Sequence, residues 1–435
     1  MAPATTTEAR ARLPLRYVLV IWLGVLSAIA FLDRTNISVA AISIGREFAI
    51  SNTRLGWVFS AFLIGYGSFQ IPAGILARRL GPRRVLAFAG IWWAAFTTLT
   101  AAVPPGFQAA VLLLVVVRFA LGAGEATMYP AASQFVERWF PIAERGRANG
   151  IIFAGVGFGS AVTPYIVTQI ILHLGWRASF WISAGIGLLG ALVWYFIARD
   201  TPEQHARIST RERAHILAAR EVTATTAGKT QSSRIPWSRL FASREVVALT
   251  LSYFSFGYVA WIYFAWLFIY LAQVRGLNLK ASATYTMIPF VAMTIGCLLG
   301  GVLSDFIATR FGLRAGRSIV PGLALACTAV LLVIGSRAPD ARSAALILAL
   351  GAGVLYLAQS GFWAVAADIG RENTSVASGI VNMGGQLGGA CTASLTPVIA
   401  SHYGWTMSFV TAAVLALAGG IAWLAIDPRR QIVAE

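Results

Sequence analysis

The hexapeptide GWRASF at residues 175–180 returns as GWTMSF at residues 404–409, a displacement of 229 residues. The same displacement carries five upstream residues onto identical ones: Gly150 onto Gly379, Gly155 onto Gly384, Gly159 onto Gly388, Thr163 onto Thr392 and His173 onto His402. Coincidence in apolar sequence is an alternative, but it does not account for one spacing at so many positions. The repeat predicts two homologous halves, which in transporters rock around a site near the membrane midplane.

The composition is that of a membrane protein. Hydrophobic residues make up 57% of the 435 residues, charged residues make up 12%, and the mean hydropathy is +0.71. A bilayer core about 30 Å thick takes roughly 20 apolar residues per helix. The sequence therefore predicts an all-α membrane protein of twelve transmembrane helices in two pseudo-symmetric six-helix halves, with spans at residues 17–42, 55–77, 85–102, 109–131, 147–172, 177–198, 246–273, 282–307, 318–336, 342–366, 376–401 and 405–426.

The basic residues behind the net charge of +17 are distributed unequally between the two sides of the membrane, so this charge does not indicate nucleic-acid binding. If the N-terminus is cytoplasmic, 25 Lys and Arg residues fall in cytoplasmic segments, 7 fall in external loops, and Arg34 and Arg118 lie inside spans. This asymmetry obeys the positive-inside rule and predicts that both termini are cytoplasmic. The predicted organisation is a tail, a six-helix half, a cytoplasmic linker, a second half and a second tail, at residues 1–16, 17–198, 199–245, 246–427 and 428–435.

The segments outside the predicted halves carry few further signals. The N-terminal residues lack the apolar core and cleavage site of a secretory signal, so the first span is expected to stay in place as an anchor. In the linker, STRERAHILAAREV at 209–222 is predicted to form a solvated surface helix. The three cysteines lie in apolar segments and are expected to be buried small side chains, not a disulfide framework: Cys297, Cys327 and Cys391.

Four ionisable residues lie deep in predicted spans, all in the N-terminal half: Asp33, Arg34, Arg118 and Glu125. A charge at a helix centre costs roughly 2.5–3.5 kcal/mol on insertion scales, so lipid-facing positions are excluded. Arg118 and Glu125, seven residues apart, fall within about 20° of the same helix face. Asp33 and Arg34 project about 100° apart, so each is expected to have its own partner. We expect Asp33 to interact with Arg118 and a proton, and Arg34 to face a substrate carboxylate.

Two interpretations of these charges are open. The structural one is a set of buried ion pairs that hold helices together, although such pairs stabilise weakly compared with apolar packing. In the functional one, protons on Asp33 and Glu125 deprive Arg34 and Arg118 of their partners, so an anion takes the place of the carboxylates. Arginine offers bidentate hydrogen bonds that match a carboxylate. Proton and anion would then favour each other's binding, which is the coupling that co-transport requires.

Uncharged polar residues at helical spacing extend the predicted cavity lining. They form pairs on the second, tenth and eleventh spans: Tyr66 with Gln70, Ser360 with Trp363, and Asn382 with Gln386. Each one could equally form an interhelical hydrogen bond. The aromatic seventh span, YFSFGYVAWIYFAWLFIYL at 253–271, could supply part of the floor of a binding cavity.

Several motifs resemble those of the major facilitator superfamily. GILARRLGPRR at 74–84 and GVLSDFIATRFGLR at 301–314 resemble its loop signature at corresponding places in the two halves. FLDRTNIS, GYGSFQIPAG, RFALGAGEATMYPA and ERWFPIAERGRANGI resemble the anion:cation symporter family, which includes proton-coupled galactonate, glucarate and hexuronate carriers. The resemblance covers essentially the whole chain and implies the major facilitator fold.

The resemblance also implies roles for particular residues. Asp33 and Glu125 match the proton-titrating acids, Arg34 matches a substrate-carboxylate ligand, and Arg118 matches a partner that switches between acid and substrate. Three further residues match sugar-acid contacts: Tyr66, Trp363 and Asn382. In the second loop signature, Asp305 and Arg310 match a cytoplasmic gate.

Three departures from the family pattern bear on the gate and the substrate. Arg78 replaces the usual acid of the first loop signature, so a gating ion pair there must be built differently. Sugar-acid carriers have a glutamine in the fifth span, where this chain has 154–157, and another early in the seventh, where it has Tyr253. A cavity with fewer amides and more aromatic rings suits a polyol chain less well. An organic mono- or dicarboxylate is compatible with both kinds of cavity.

These observations predict a proton-coupled symporter that imports a small organic anion, with a sugar acid as the expected substrate. The alternative is a proton-coupled antiporter that exports a drug or another metabolite on the same fold. A non-transporting membrane sensor would need a ligand-responsive domain, and 199–245 is short and polar. The four histidines form no metal-binding pair and accompany no Ser nucleophile, so we expect no enzyme activity and no cofactor besides protons. We expect a monomer in the inner membrane of a bacterium.

Overall fold

A computed structural model describes residues 13–106, 109–227, 243–370 and 374–427, and this part of the chain contains helices and connecting turns without strands. The predicted tails therefore fall almost wholly outside the described residues. The N-terminal half comprises α1 (Leu15–Glu47), α2 (Asn52–Leu80), α3 (Pro82–Ala102), α4 (Ala110–Glu125), α5 (Met128–Trp139), α6 (Ile142–Leu174) and α7 (Trp176–Ile197). The linker contributes α8 (Thr210–Ala227).

The C-terminal half repeats this order. It comprises α9 (Arg244–Ala265), α10 (Leu279–Phe311), α11 (Leu313–Arg337), α12 (Ala341–Tyr356), α13 (Gln359–Gly370), α14 (Thr374–Tyr403) and α15 (Trp405–Ala422). A three-residue helix and the π-helical turn Tyr270–Val274 follow α9. The predicted all-α, two-half architecture is confirmed.

Eleven helices of the described chain, with the broken fourth and tenth spans counted as one helix each, are long and apolar enough to cross a membrane. The predicted eleventh span is the one that falls short by composition. It corresponds to α14, a continuous 30-residue helix rich in small and polar residues. Residues Ala377, Val381 and Ala393 of this helix are at most 1% exposed. The face that carries these residues is packed against neighbouring helices, whereas Met383, Leu387 and Leu395 of the same helix are exposed.

Glycines with positive φ explain why the opening hexapeptide is repeated. Gly175 before α7 and Gly404 before α15 have φ of 82° and 83°, and Gly81 and Gly312 hold the corresponding turns before α3 and α11. Residues other than glycine rarely adopt this backbone conformation, because a Cβ atom makes it sterically unfavourable. Each glycine lets the chain reverse sharply from one spanning helix into the next.

The fourth and tenth spans are each broken at corresponding points. The break between α4 and α5 is at Ala126 and Thr127, and the break between α12 and α13 is at Leu357 and Ala358. At both breaks the backbone uses tighter bonds: Thr127 N donates to the carbonyl of Gly124, and Leu357 N to that of Val354, at 3.2 and 3.1 Å. Bonds of this i→i+3 type often mark functional hinges.

Close helix contacts establish which residues of the two halves are equivalent. In the N-terminal half, Gly155 and Gly159 of α6 lie against the carbonyls of Gly24 and Ala28 on α1. In the C-terminal half, Gly384 and Gly388 of α14 lie against those of Thr250 and Phe254 on α9. Small residues at such crossings let membrane helices approach closely. The displacement between α1 and α9 is therefore 226, which equates Asp33 with Val259 and Arg34 with Ala260.

We call the membrane side on which α1 begins and the linker lies the linker side, and the opposite side the far side. Several contacts join the two halves on the far side. Ser60 donates to the carbonyl of Ala390 at 2.6 Å, and Gly56 lies against the backbone of Ala393. Ring pairs add to the closure: Phe31 with Phe264 at 5.7 Å and Phe59 with Trp266 at 5.3 Å.

The linker helix α8 docks on the N-terminal half, so the prediction of a solvated helix is only partly right. Glu212 accepts from the backbone N–H groups of Leu15 and Arg16, both at 3.0 Å, and from Arg16 Nη1 at 2.9 Å. Ile216 is 1% exposed. A carboxylate at the start of α1 satisfies N–H groups that the helix itself cannot. The helical pattern was readable from sequence, but this long-range partner was not.

Candidate functional site

The centre of the site is an ion pair between the first and fourth spans. Arg34 Nε donates to Glu125 Oε2 at 2.7 Å, and the two side chains are 3% and 0% exposed. Glu125 is the last residue of α4, directly before the helix break. Removing one partner of such a pair costs about 3–5 kcal/mol, because the other charge stays buried. The pair fixes α1 against α4 while both groups are charged.

Three aromatic rings surround the Arg34 guanidinium. Its carbon lies 4.7 Å from the ring centroid of Phe31, 5.4 Å from that of Phe62 and 4.5 Å from that of Tyr66. Cation–π attraction at this range stabilises a guanidinium that has left water. Arg34 Nη2 is buried without a hydrogen-bond partner, so the guanidinium keeps donor capacity for a ligand.

Arg118 forms no salt bridge with an acid in the described structure. It is 2% exposed, its guanidinium carbon lies 4.9 Å from the Phe62 centroid, and its Nε has no hydrogen-bond partner. The expected contact with Asp33 is absent from the described structure, although the two charges interact electrostatically. Asp33 receives only a long bond from Thr97 Oγ1, at 3.5 Å, and its Oδ1 has no partner. As the helix geometry predicts, Asp33 and Arg34 face different partners.

Amide side chains connect the halves just to the linker side of the charges. Asn382 Nδ2 of α14 donates to Gln70 Oε1 of α2 at 2.7 Å. One turn further along α14, Gln386 lies against Gly67, and its Oε1 is buried without a partner. The structure thus brings three predicted residues to one interface, with Tyr66 one turn along α2 from Gln70. Two of the amides satisfy each other.

The C-terminal half contributes an aromatic wall. The ring of Tyr253 stacks on Phe256 at 5.3 Å and meets the edge of Trp363 at 5.5 Å. Gln359 Nε2 donates to Tyr253 Oη at 3.3 Å, and Ser360 Oγ is buried without a partner. Sequence reasoning missed Gln359. Its position directly before Ser360, a predicted lining residue, could have suggested it. The helix break that turns Gln359 inwards could not be predicted, because there is no Pro or Gly at the break.

Tyr129, at the start of α5, is a second residue that sequence reasoning missed. Its hydroxyl lies 3.1 Å from Ser27 Oγ of α1, and its ring stacks on Phe153 at 5.5 Å. It interacts electrostatically with Arg34 and Glu125. Tyr129 belongs to the motif RFALGAGEATMYPA, but nothing in the sequence indicates which residues it contacts.

A cavity lies on the far side of the central ion pair. In this conformation it holds only about 20 Å³, and both Arg34 and Arg118 line it. Its other lining residues are Ser38 and a predominantly apolar set: Ile37, Phe59, Phe62, Leu63, Trp261, Phe264, Ala265 and Ala393. Apolar walls with a few charged groups are the lining typical of small-ligand sites, and the halves must open further before an organic anion fits.

At the linker side, the predicted gate residues do not contact each other. Asp305 accepts from Arg317 Nη1 at 3.1 Å, and Arg317 Nε also donates to Asp368 at 3.3 Å. The guanidinium of Arg310 lies over the ring of Phe306 at 5.1 Å. Arg317, on the helix after the loop signature, is thus the cation of this cluster in the described conformation.

The first loop signature obtains its acid from elsewhere. Asp200, directly after α7, accepts from the backbone N–H of Arg83 at 2.9 Å, in the first turn of α3. Arg78, which stands where the family has an acid, is exposed. The loop is therefore stabilised from the sixth span, a partner that the motif alone does not reveal.

Comparison with known proteins agrees with this architecture. The family model of the Major Facilitator Superfamily matches residues 23–389. A probable sulfoacetate transporter of Cupriavidus necator is 34% identical over 402 residues, with 92% of this chain and 91% of the relative covered. A probable L-galactonate transporter of Escherichia coli is 28% identical, with 93% and 89% covered. A hexuronate transporter of Bacillus subtilis is 26% identical, with 93% and 91% covered.

Solved structures show the same fold at low sequence identity. A bacterial homologue of the human lysosomal transporter Spinster has a TM-score of 0.78 at 18% identity, with 97% of this chain and 99% of that chain covered. A D-xylose–proton symporter has a TM-score of 0.74 at 15% identity, with 96% and 100% covered. The chain is a multi-pass membrane protein that belongs to the major facilitator superfamily, with curated relatives of its anion:cation symporter type.

Proposed function

We propose that the protein is a secondary active transporter that carries a small organic anion together with protons by alternating access. The observation that carries this proposal is the incomplete charge pairing of the site. Arg118 and Asp33 are buried, their Nε and Oδ1 atoms lack hydrogen-bond partners, and neither side chain forms a salt bridge in the described structure, although the two attract each other at longer range. A buried charge without a partner is costly, and a bound anion beside Arg118 with a proton on Asp33 would remove both costs.

Glu125 links the proton to the anion. While it is ionised, it occupies Arg34 through the 2.7 Å hydrogen bond. A proton on Glu125 ends the charge pairing and frees the Arg34 guanidinium for an anion. By reciprocity, a bound anion at Arg34 favours the proton on Glu125 by the same factor. The empty carrier keeps its internal ion pair, which limits reorientation with a proton alone.

The sequence predicts a sugar acid, and relatives named for L-galactonate and hexuronate support that class. The relative named for sulfoacetate supports a shorter anion. We place the protein in the inner membrane of a bacterium, as a monomer with both termini in the cytoplasm. Export of a lipophilic cation is a weaker candidate, because two arginines face the cavity.

Uptake into proteoliposomes tests this proposal. Purified full-length protein is reconstituted, and accumulation of labelled sulfoacetate, galactonate and glucuronate is followed with and without an inward proton gradient. We expect at least one anion to accumulate above its external concentration, with loss of accumulation when a protonophore is added. Equal uptake with and without the gradient for every anion would overturn proton coupling. Gradient-driven export of a lipophilic cation from the same vesicles would support the antiport alternative instead.

A further inference from the structure

We propose that the substrate is a compact dianion, with one acid group on Arg34 and the other on Arg118 while Asp33 and Glu125 are protonated. This inference rests on the proposed function and narrows it from organic anions in general to molecules with two acid groups on a short spacer. It replaces the polyol acid that the sequence predicts.

The side chains that line the cavity offer more hydrogen-bond donors than acceptors. Besides the two guanidiniums, its lining side chains offer the indole N–H of Trp261 and the hydroxyl of Ser38, which already donates to the carbonyl of Thr35. Guanidinium and indole groups donate and cannot accept. Carboxylate and sulfonate oxygens accept without donating, so they match this lining. Each hydroxyl of a sugar acid also needs an acceptor, and among the lining side chains only the Ser38 hydroxyl oxygen can supply one.

The two guanidiniums are close enough to hold one small molecule. Both lie against the ring of Phe62, with their carbons 5.4 Å and 4.9 Å from its centroid, so they are at most about 10 Å apart. Charge-assisted hydrogen bonds place each acid group about 2.7–2.9 Å from its guanidinium nitrogens. What remains between the two acid groups is room for a spacer of a few bonds.

Charge balance also favours two acid groups. The charges of Asp33, Arg34, Arg118 and Glu125 sum to zero when all four are ionised, which is the state that we propose for the empty site. Two protons on the acids and a dianion on the arginines again sum to zero. A monoanion with two protons leaves one buried positive charge, which is costly in a low-dielectric interior. With a dianion, both forms that must reorient are neutral, and the cycle moves two protons per substrate.

The groups that would hold a polyol chain are occupied or absent. Asn382 and Gln70 bond to each other, and the Tyr253 hydroxyl is bonded to Gln359. On the fifth span, Gly157 packs directly against Thr294 of α10. A long hydroxylated chain would have to break these contacts, whereas a compact dianion bound between Arg34 and Arg118 would leave them intact.

Equilibrium binding to the full-length protein in lipid nanodiscs tests the inference. Calorimetric affinities are compared for length-matched pairs: succinate with butyrate, and sulfoacetate with propionate, with galactonate as the polyol probe. A hydrogen-bonded buried charge pair contributes enough for about a 30-fold or greater preference for each dianion. Galactonate should bind more weakly than either dianion. Tighter binding of galactonate, or no dianion preference, would overturn the inference.

Variants of Arg118 connect the preference to its cause. In Arg118→Gln, dianion and monoanion should bind within about threefold of each other, because the second cation is gone. Arg118→Lys keeps the charge and loses the bidentate geometry, so it should retain a reduced preference and serves as the folded control. Arg79→Gln, an exposed arginine on α2, should keep the full preference. An unchanged preference in Arg118→Gln would overturn the assignment.

Transport separates this inference from the proposed function. If succinate or sulfoacetate moves with two protons, its proton-driven uptake should not respond to a membrane potential set by potassium and valinomycin. Uptake of the dianion that changes with potential overturns the stoichiometry. Proton-driven uptake of galactonate without dianion preference would overturn the inference and leave proton symport standing, whereas no gradient-driven uptake of any anion would overturn symport itself.

Discussion

The two halves of the molecule share a scaffold but not a chemistry. Both break their fourth helix at the same place, and both turn on positive-φ glycines. Yet the positions equivalent to Asp33 and Arg34 are Val259 and Ala260, and the last residue before the break is Glu125 in one half and Tyr356 in the other. The N-terminal half therefore holds the ions, and the C-terminal half shapes the space around them. The comparison indicates that coupling can be changed without changing the fold.

The largest effect is expected from Arg34. Arg34→Gln should abolish detectable anion binding and uptake, and it should destabilise the protein by about 3–5 kcal/mol because Glu125 stays buried without its partner. The double variant Arg34→Gln/Glu125→Gln should recover most of that stability without recovering uptake. Denaturant unfolding and uptake in vesicles measure the two effects. Uptake at wild-type rate in either variant would mean that the N-terminal charges are purely structural.

The two acids should separate coupling from binding. The double variant Asp33→Asn/Glu125→Gln should lose proton-driven accumulation, by roughly 100-fold or more, because neither acid can then exchange a proton in response to the anion. Exchange of labelled for unlabelled anion should persist, since both arginines remain. Accumulation and counterflow in the same vesicles measure this. Glu137→Gln, at an exposed glutamate on α5, is the matched control; loss of exchange together with accumulation would indicate structural acids.

The close contact between the halves on the far side gives a test of alternation. Gly56 lies against the backbone of Ala393, so a side chain there would prevent the closure seen in this conformation. Gly56→Val should slow uptake by roughly tenfold or more while anion binding changes little, because one of the two access states is disfavoured. Gly185→Val is the control, since nothing lies within 4 Å of that position. Equal uptake by both variants would show that this contact does not limit the cycle.

The sequence was sufficient to predict the helical spans, the two halves and the burial of the four charges. Hydropathy, repeat spacing and the cost of a lipid-facing charge can each be read from the sequence without knowing how the helices pack. It could not assign partners. Arg34 binds Glu125, and Arg317 replaces Arg310 at the loop acid, because such pairs depend on how separate helices are rotated against each other. The break that places Gln359 beside Tyr253 was also invisible, since it depends on a local shift of backbone bonds without Pro or Gly at that point.

The smallest effect is expected in the C-terminal half. Gln359→Leu removes the donor to the Tyr253 hydroxyl, and a neutral hydrogen bond of this kind contributes about 0.5–1.5 kcal/mol. The half-saturating anion concentration should rise by about two- to tenfold, with the maximal rate and the proton dependence of uptake unchanged. Tyr253→Phe should have a similar effect, and the double variant should add little, because the two side chains act through one bond. A change in proton dependence in either variant would place coupling in both halves and remove the division of labour inferred from the charges.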